Sequence, residues 1–433
     1  MIKLKINNRP IEVTEGTTLL EAAHRLQIDI PTMCHLEGTE HFTSCMVCLV
    51  KDASNGRLMA SCSMPAMEDM QIITDDDECR ESRKAALELL LSEHVGDCEA
   101  PCQMVCPAHM NIPLMNRLIA AGSFEKAIEV VKRDIALPAI LGRICPAPCE
   151  AGCRRKQVDD PVSICLLKGF VADQELAKGI DPVETKSKSG KKVAIIGAGP
   201  AGLAAGFYLN KAGHLVSIFE KNEKAGGDLL KIKGEVLPST VLEAEFNSLL
   251  NSNISIQYQV EVDRKQFEKL QQEYDAVVLA TGASNELLKN WGLNLSKTGV
   301  ASDKGTYQTS IQNVFAIGNT LRPSKLAVRS VGQGKELAFI LDQFFKTDKL
   351  EAYPNRFNSK FGKLQEVEFA EYLKESVETE RKEASKGKAV GFTIEEAIEE
   401  AKRCLHCDCR NPESCKLREL SDEYGAEQKR FQY

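Results

Sequence analysis

The sequence lacks an apolar run long enough to cross a membrane, and neither sign of charge is in large excess. A membrane-spanning helix needs about 20 consecutive apolar residues, and no stretch of the 433 residues reaches that length. The formal net charge is only −7, which argues against nucleic acid or an anionic membrane surface as a partner. The first residues also lack the apolar core of a signal peptide. We therefore expect a cytoplasmic protein without a membrane span.

Cysteine, in contrast, is abundant. The chain contains sixteen cysteines, and in the cytosol, where thiols are kept reduced, such a number indicates metal binding rather than disulfides. Most of them lie in short bursts, and proline follows Cys106 and Cys145. Thiolates in such loops are typical ligands of iron–sulfur clusters. Structural zinc is the alternative, but zinc sites favour isolated C-x-x-C pairs over a series of three-residue gaps.

Residues 1–75 have the pattern of a small domain made of strands, one helix and a cysteine loop. Residues 2–13 alternate apolar and polar side chains around a turn, which predicts a β-hairpin, and residues 17–26 predict a capped helix. Four cysteines follow at Cys34, Cys45, Cys48 and Cys62. This order and spacing resemble the β-grasp, ferredoxin-like [2Fe-2S] domain of the large iron–sulfur subunit of respiratory complex I and of iron-only hydrogenases. The resemblance implies that these four thiolates hold a [2Fe-2S] cluster.

A connecting helix is predicted at residues 76–93, and it leads into His94 and Cys98, which are four residues apart. In the resembled complex I and hydrogenase proteins, a histidine and a cysteine at this spacing are ligands of a [4Fe-4S] cluster. The other cysteines of that motif are not at their usual positions here, and a lone histidine is more often a structural residue. Ligation by His94 therefore stays open.

The segments Cys102-Gln-Met-Val-Cys106-Pro and Cys145-Pro-Ala-Pro-Cys149, followed by Cys153, belong to a longer pattern that continues to residue 164. This pattern resembles the helical two-cluster domain of the small subunit of glutamate synthase and of dihydropyrimidine dehydrogenase. In that family a helix ending in Arg-Cys-Leu-x-x-Cys precedes the first burst, whereas here it stands near the C-terminus, at residues 403–407. We expect this tail to fold back onto residues 98–165, because the ligands of one cluster must be close in space.

The family pattern implies how the thiols divide among [4Fe-4S] clusters. The first set combines both ends of the domain: Cys102, Cys153, Cys404 and Cys407. The second set comes from the middle: Cys106, Cys145, Cys149 and Cys165, the last in place of the family's Gln or Glu ligand. That ligand aligns with Lys168, and lysine is a poor cluster ligand because it would have to lose its proton. The residues left for a third cluster are His94, Cys98, Cys409 and Cys415, and Cys79 has no assignment. This cluster domain is expected at residues 76–185, with a polar linker at 176–191.

Residues 192–220 predict a strand, a glycine-rich turn, a helix and a second strand that ends in an acid. Glycines in such a turn let the backbone approach a pyrophosphate at the helix N-terminus, and Glu220 suits a ribose hydroxyl. Glycines used only for tight packing are the alternative. Later segments around Gly227, Gly282 and Gly318 resemble the flavin-contacting motifs of the same family, although Asn319 replaces its usual Asp. The implied FAD-binding residues of this Rossmann-type domain, at residues 191–345, are Gly197, Gly199, Pro200, Ala201, Gly202, Glu220, Lys221, Gly227, Leu229, Val260, Ala280, Thr281, Gly282, Gly318 and Asn319.

One part of the resembled family is missing from the sequence. That family inserts a second nucleotide-binding domain, for NADPH, between its counterparts of Gly282 and Gly318, but here only 35 residues separate the two glycines. A nucleotide-binding unit of this type needs about 60 residues, since each βαβ takes about 30. We therefore expect no NADPH-binding domain in this chain. Residues 346–433 are expected to form an extended arm and the cysteine-rich tail.

Together these patterns predict a multidomain α+β and α/β protein that relays electrons between FAD, a [2Fe-2S] cluster and two or three [4Fe-4S] clusters. FAD exchanges electrons in pairs or singly, so it can link hydride transfer to the one-electron steps of the clusters. No set of residues for acid–base or nucleophilic catalysis is evident, so the substrate or NAD(P)H site would lie on a partner subunit. Two alternatives stay open: a self-contained NAD(P)H-dependent oxidoreductase and a non-catalytic iron–sulfur scaffold protein.

Overall fold

The computed structural model describes residues 1–36, 38–39, 43–94, 96–179, 186–249, 254–282, 285–360, 362, 364 and 366–428. Residues 180–185 of the predicted linker therefore lie outside the described residues. The chain forms two compact units. The first consists of Met1–Glu99, Asn355–Leu364 and Asp408–Tyr433, and the second of Ala100–Pro354 and Gln365–Cys407. Each unit is thus built from segments that are far apart in sequence.

The described residues contain ten strands and sixteen α-helices. The strands are β1 (Ile2–Ile6), β2 (Arg9–Val13), β3 (Leu49–Asp52), β4 (Leu58–Ala60), β5 (Gln71–Ile73), β6 (Lys192–Ile196), β7 (Leu215–Phe219), β8 (Ile254–Gln257), β9 (Ala276–Leu279) and β10 (Val314–Ala316). The helices are α1 (Leu19–Arg25), α2 (Asp77–Ser92), α3 (Pro101–Met104), α4 (Ile112–Ala120), α5 (Phe124–Asp134), α6 (Pro138–Ile144), α7 (Pro148–Ala151), α8 (Ile164–Lys178), α9 (Pro200–Lys211), α10 (Ser239–Leu249), α11 (Arg264–Glu273), α12 (Asn285–Asn290), α13 (Ala327–Thr347), α14 (Glu366–Leu373), α15 (Ile394–Ala401) and α16 (Lys416–Glu423). Within the described ranges, no helix is long and apolar enough to cross a membrane.

The first unit is organised on a five-stranded sheet in the order β2-β1-β5-β3-β4. Strands β1 and β2 form the predicted antiparallel hairpin. Asn7 and Asn8 make its two-residue turn, with φ of 48° and 65°, the left-handed values that the favoured hairpin turns require. Strand β5 pairs parallel with β1 and antiparallel with β3. This mixed sheet, with α1 packed on it, confirms the predicted ferredoxin-like domain.

Local signals in the sequence set the ends of the helices in this unit. Helix α1 starts with a capping box, in which the Thr18 side chain accepts the N–H of Glu21 and the Glu21 carboxylate accepts the N–H of Thr18. Helix α2 is the predicted connecting helix. Its Arg83 is buried and donates hydrogen bonds to the carbonyl oxygens of Leu49 and Thr74 and to the Tyr424 hydroxyl. The C-terminal segment is thereby fixed to the same sheet.

The helices of the second unit approach one another closely at α6 and α8. A Cβ built on Gly142 would lie 2.6 Å from Cα of Gly169, so the two backbones touch with no side chain between them. Helix α15 begins with a capping box at Thr393 and packs its buried Ala397 and Ala401 against α4 and α8. The tail is therefore part of the helical core of this unit.

The second sheet is fully parallel, in the order β10-β9-β6-β7-β8. Its central strands are buried on both faces, as parallel strands covered by helices must be. Helices α9 and α13 pack tightly together at Gly334. A Cβ at this position would lie 2.8 Å from the carbonyl oxygen of Ala201. This arrangement confirms the predicted Rossmann-type domain and the mixed α/β fold class.

Candidate cluster and flavin sites

The four cysteines predicted to hold the [2Fe-2S] cluster lie together in the first unit. Their thiols form two hydrogen-bonded pairs, Cys34 with Cys45 and Cys48 with Cys62. Burial and the Cys48 thiol raise the pKa of Cys62 to about 12. At Cys34 burial acts in the same direction, but hydrogen bonds from Cys45 and Ser44 outweigh it and lower the pKa of this thiol. We call these four residues the Cys34 group.

A second group joins the tail to the helical domain. Cys102 interacts electrostatically with Cys404, Cys153 and Cys407, and we call these four residues the Cys102 group. Burial is the first cause that raises the pKa of Cys102 and of Cys407, and the neighbouring thiols add to it. Thiols kept neutral in this way release their protons when a metal binds.

A buried ion-pair network fixes the tail beside the Cys102 group. Arg403 is fully buried, and its guanidinium donates to the carboxylates of Glu400 and Asp159, both at 2.9 Å. Arg155 donates in turn to the carbonyl oxygen of Arg403 at 2.8 Å. Glu400 also accepts the N–H of Ser163 at 2.8 Å. The position of the cysteines that follow Arg403 is therefore determined by charges buried in the domain.

A third group lies where α6 and α8 meet. Cys145, directly after α6, is hydrogen-bonded to the Cys165 thiol, and this bond and burial raise the pKa of Cys145. Cys149 and Cys106 complete what we call the Cys106 group, because all four thiols act electrostatically on Lys168. Burial alone would lower the pKa of Lys168, but the four thiols together raise it. The structure therefore brings the predicted substitute ligand, Cys165, next to its three partners.

The remaining predicted ligands come together in the first unit. The N–H of Cys409 donates to the carbonyl oxygen of Cys98 at 3.2 Å, and both Cys409 and Cys415 act electrostatically on the Cys98 thiol. The Cys98 sulfur accepts the N–H of Ser359 at 3.4 Å, and the Ser359 hydroxyl lies 3.5 Å from Nδ1 of His94. We call Cys98, Cys409, Cys415 and His94 the Cys98 group.

Cys79, the cysteine without an assignment, is a structural residue. It is fully buried, its N–H is bonded to the Asp76 carboxylate, and its thiol donates to the carbonyl oxygen of Ile73 at 3.7 Å. Among the residues that the structure describes, no three His, Cys, Asp or Glu side chains converge tightly enough to share a single metal ion. Wider groups of thiols suit a cluster, whose ligands stand around several iron and sulfide atoms.

The Cys102, Cys106 and Cys98 groups each have a buried cation beside them, and the sequence analysis singled out only the position of Lys168. Arg154 hydrogen-bonds to the Cys407 thiol, Lys168 contacts Cys165, and Arg418 acts electrostatically on Cys98. All three are at most 4 % exposed. Arg154 directly follows Cys153 and Lys168 lies one helical turn after Cys165, which are local signals for both, whereas the position of Arg418 depends on packing between distant segments.

The glycine-rich turn has the geometry of a pyrophosphate site. A Cβ on Gly202 would overlap the carbonyl oxygen of Gly197, and a Cβ on Gly197 would overlap that of Ala280. Gly199 faces open space and precedes α9, a helix of twelve residues. Its backbone and the helix N-terminus are therefore accessible to an anion. These residues fit the pyrophosphate of a dinucleotide such as FAD.

The other predicted flavin residues surround the carboxyl ends of the parallel strands. Glu220 is buried, and its carboxylate accepts the N–H groups of Ala198 and Asn222, so it braces the turn while lone pairs remain for a ligand. A Cβ on Gly227 would lie 3.3 Å from Cα of Gly199, so both line one crevice. The N–H of Gly318 is held by Gln333, which the sequence analysis missed, at 2.8 Å. The remaining predicted residues follow strand ends, lie in short 3-10 turns or begin α9: Pro200, Ala201, Lys221, Leu229, Val260, Ala280, Thr281, Gly282 and Asn319.

Three segments of the chain match models of known protein families. Residues 1–77 match the 2Fe-2S iron–sulfur cluster binding domain, and residues 84–180 match domain II of dihydropyrimidine dehydrogenase with its 4Fe-4S cluster. Residues 191–292 match the pyridine nucleotide–disulphide oxidoreductases. The chain thus combines a [2Fe-2S] domain, a [4Fe-4S] domain and an FAD-type oxidoreductase domain, as the resemblances implied.

Similar proteins include subunits of several oxidoreductases. The chain is 40% identical over 208 residues to the NADP(+)-dependent formate dehydrogenase subunit beta of Moorella thermoacetica, with 42% of this chain and 29% of that protein covered. It is 38% identical over 189 residues to the NADPH-Fe(3+) oxidoreductase subunit beta of Geobacter sulfurreducens (strain DL-1 / KN400), with 42% and 28% covered. It is 36% identical over 184 residues to the glutamate synthase (NADPH) small chain of Bacillus subtilis (strain 168), with 42% and 37% covered. The chain spans less than half the length of these relatives.

Proposed function

We propose that this chain is the iron–sulfur flavoprotein subunit of a cytoplasmic oxidoreductase complex and relays electrons between FAD and its clusters. The observation that carries the proposal is the contact between α13 of the flavin domain and the loop after Cys106. A Cβ on Gly332 would overlap the carbonyl oxygen of Pro107. Lys335 donates to the carbonyl oxygen of Ala108 at 2.7 Å and pairs with Asp134 at 2.9 Å. The flavin domain and the Cys106 group therefore belong to one packed structure.

This contact explains what the protein contributes to electron transfer. Bound FAD supplies the exchange of one or two electrons. The chain supplies fixed positions, because the backbone around Gly199 would hold the pyrophosphate and the buried thiols would hold the clusters. The Lys335–Asp134 ion pair fixes α13 against α5, and Gly332 lets α13 approach the Cys106 loop without an intervening side chain.

The proposal assigns one cluster to each group of thiols: a [2Fe-2S] cluster to the Cys34 group and a [4Fe-4S] cluster to each of the Cys102, Cys106 and Cys98 groups. The Cys98 group is supported by Arg418. Two of the Arg418 nitrogens donate to Glu99 and Phe357, but no described residue accepts a bond from its buried Nη1. An anionic cluster beside Cys98 would satisfy this charge. Contact of Nδ1 with Ser359 leaves Nε2 of His94 as the nitrogen for metal, with Ser359 orienting the ring.

A partner subunit would supply the substrate or the NAD(P)H site. Between β9 and β10, the described residues 285–313 form α12 and take part in isolated bridges, and they contain no strand of a second nucleotide-binding sheet. The relatives named above are themselves called subunits or chains of larger enzymes. All three names contain NADP(+) or NADPH, which favours a second candidate function: a self-contained enzyme whose flavin is reduced directly by NADPH.

Anaerobic analysis of the purified chain tests these proposals. We expect one FAD and about 14 irons, since a [2Fe-2S] and three [4Fe-4S] clusters require that number, with no bleaching of the flavin by NADH or NADPH. Replacing Cys98 with serine should remove about four irons, whereas the control Cys79→Ser should retain all of them. If NADPH bleaches the flavin directly, the relay proposal is wrong and the self-contained enzyme is the better description. If the clusters never change redox state, both electron-transfer proposals fail and the chain is a non-catalytic iron–sulfur scaffold.

A further inference from the structure

Lys168 is a buried cation without a carboxylate partner. It is only 3 % exposed, and its ammonium group contacts the Cys165 sulfur at 3.9 Å. No Asp or Glu among the described residues forms an ion pair with it. Burial of an uncompensated ammonium is strongly unfavourable. The groups around it that can supply a compensating negative charge are the thiols of the Cys106 group, which lose their protons when they bind metal.

The backbone fixes Lys168 against these thiols. Cys165 and Lys168 are one turn apart on α8 and so share a face of the helix. The Gly142–Gly169 contact holds this part of α8 against the end of α6, where Cys145 follows. The members of the Cys106 group are at most 9 % exposed, and a charge shielded from water in this way interacts strongly with its neighbours.

We propose that Lys168 is the counter-charge of the cluster held by the Cys106 group and raises the reduction potential of that cluster. The inference rests on the proposed function, which places a [4Fe-4S] cluster there. Reduction adds one electron, and so one negative charge, and a fixed ammonium and its N–H···S contact favour the more negative state. The loop after Cys106 is the one that touches α13. Lys168 thus makes the cluster beside the flavin domain the better acceptor of a single electron from the flavin.

The test is a redox titration of the full chain, followed by EPR, with Lys168 replaced by Met, Leu and Arg. The two neutral variants should make one cluster at least tenfold harder to reduce, which is 59 mV or more for a one-electron couple. Lys168→Arg should stay within that limit. The potentials of the Cys34 and Cys102 groups serve as internal controls and should not move. In a reciprocal control, Arg154→Met should leave the potential of the Cys106 group unchanged.

Iron content decides the case in which a variant loses the cluster. Loss from the neutral variants with retention in Lys168→Arg would support the counter-charge, because only charge separates them. Loss of iron from all three variants would overturn the proposal in favour of a purely steric role. Neutral variants that keep both the cluster and its potential would also overturn the proposal. Cys165→Ser tests the underlying proposal separately: if it retains the full iron content and an unchanged potential, the ligand assignment itself fails.

Discussion

Replacing Gly142 by alanine should force α6 and α8 apart and release iron from the Cys106 group. The added Cβ would lie 2.6 Å from Cα and 3.0 Å from N of Gly169, and 3.2 Å from the carbonyl oxygen of Cys165. All three are backbone atoms, so no flexible side chain can move aside. Relief requires a shift of α8, and that shift displaces Cys165 from Cys145.

The reverse substitution on the same interface is the control. A Cβ on Gly169 would lie 3.5 Å from Cα of Gly142, which is an ordinary van der Waals distance. Overpacking at Gly142 should therefore cost about 1–3 kcal/mol. Gly169→Ala should be neutral or stabilising by up to about 1 kcal/mol, because alanine favours a helix over glycine.

Thermal unfolding and iron analysis under anaerobic conditions separate the two variants. Gly142→Ala should lower the apparent Tm and lose up to four irons, while Gly169→Ala should match the unaltered protein in both. If Gly142→Ala matches Gly169→Ala in Tm and iron content, the added Cβ is accommodated without an effect on the cluster. The close backbone contact would then have no functional role.

Three further predictions concern other buried groups. Arg403→Met removes a fully buried charge and leaves its carboxylate partners uncompensated. It should lower the free energy of unfolding by about 3–5 kcal/mol and release iron from the Cys102 group. The control Arg264→Met, in an exposed ion pair, should lower it by less than about 1 kcal/mol. Because burial raises the pKa of Glu245 from 4.5 to about 7, the folded protein keeps a proton that the unfolded chain releases in this window. Stability should therefore fall as pH rises from about 4.5 to 7, and unfolding curves of Glu245→Gln should lack that component. Gly202→Ala places a Cβ on the Gly197 carbonyl oxygen, so it should abolish flavin absorbance while the EPR signals of the clusters persist; retained FAD would refute the glycine geometry.

The parts of the structure that the sequence predicted are those with local causes. Asn7 and Asn8 predicted the hairpin because few residues accept left-handed φ values. Residues 17–26 predicted a capped helix, and Gly197 and Gly202 predicted the strand–turn–helix because only glycine allows such close backbone approaches. Each of these features depends on residues within a few positions of one another.

The features that sequence reasoning missed depend on packing between distant segments. The alignment of Lys168 with a cluster ligand places it near Cys165, but its burial among all four thiols follows only from the meeting of α6 and α8. Gly332 resembles any helical glycine until Pro107 is found against it. Likewise, Arg418 becomes a neighbour of Cys98 only after residues more than 300 positions apart have come together.

The position of the tail also has a consequence for how the protein is made. Cys102 and Cys153 reach their partners only after Cys404 and Cys407 have been synthesised, about 300 residues after Cys102. At translation speeds of about 5–20 residues per second this interval lasts roughly 15–60 s. Cys34 to Cys62, in contrast, are complete within the first part of the chain. In the proposed assignment, delivery of iron to the Cys102 group therefore follows translation of the tail.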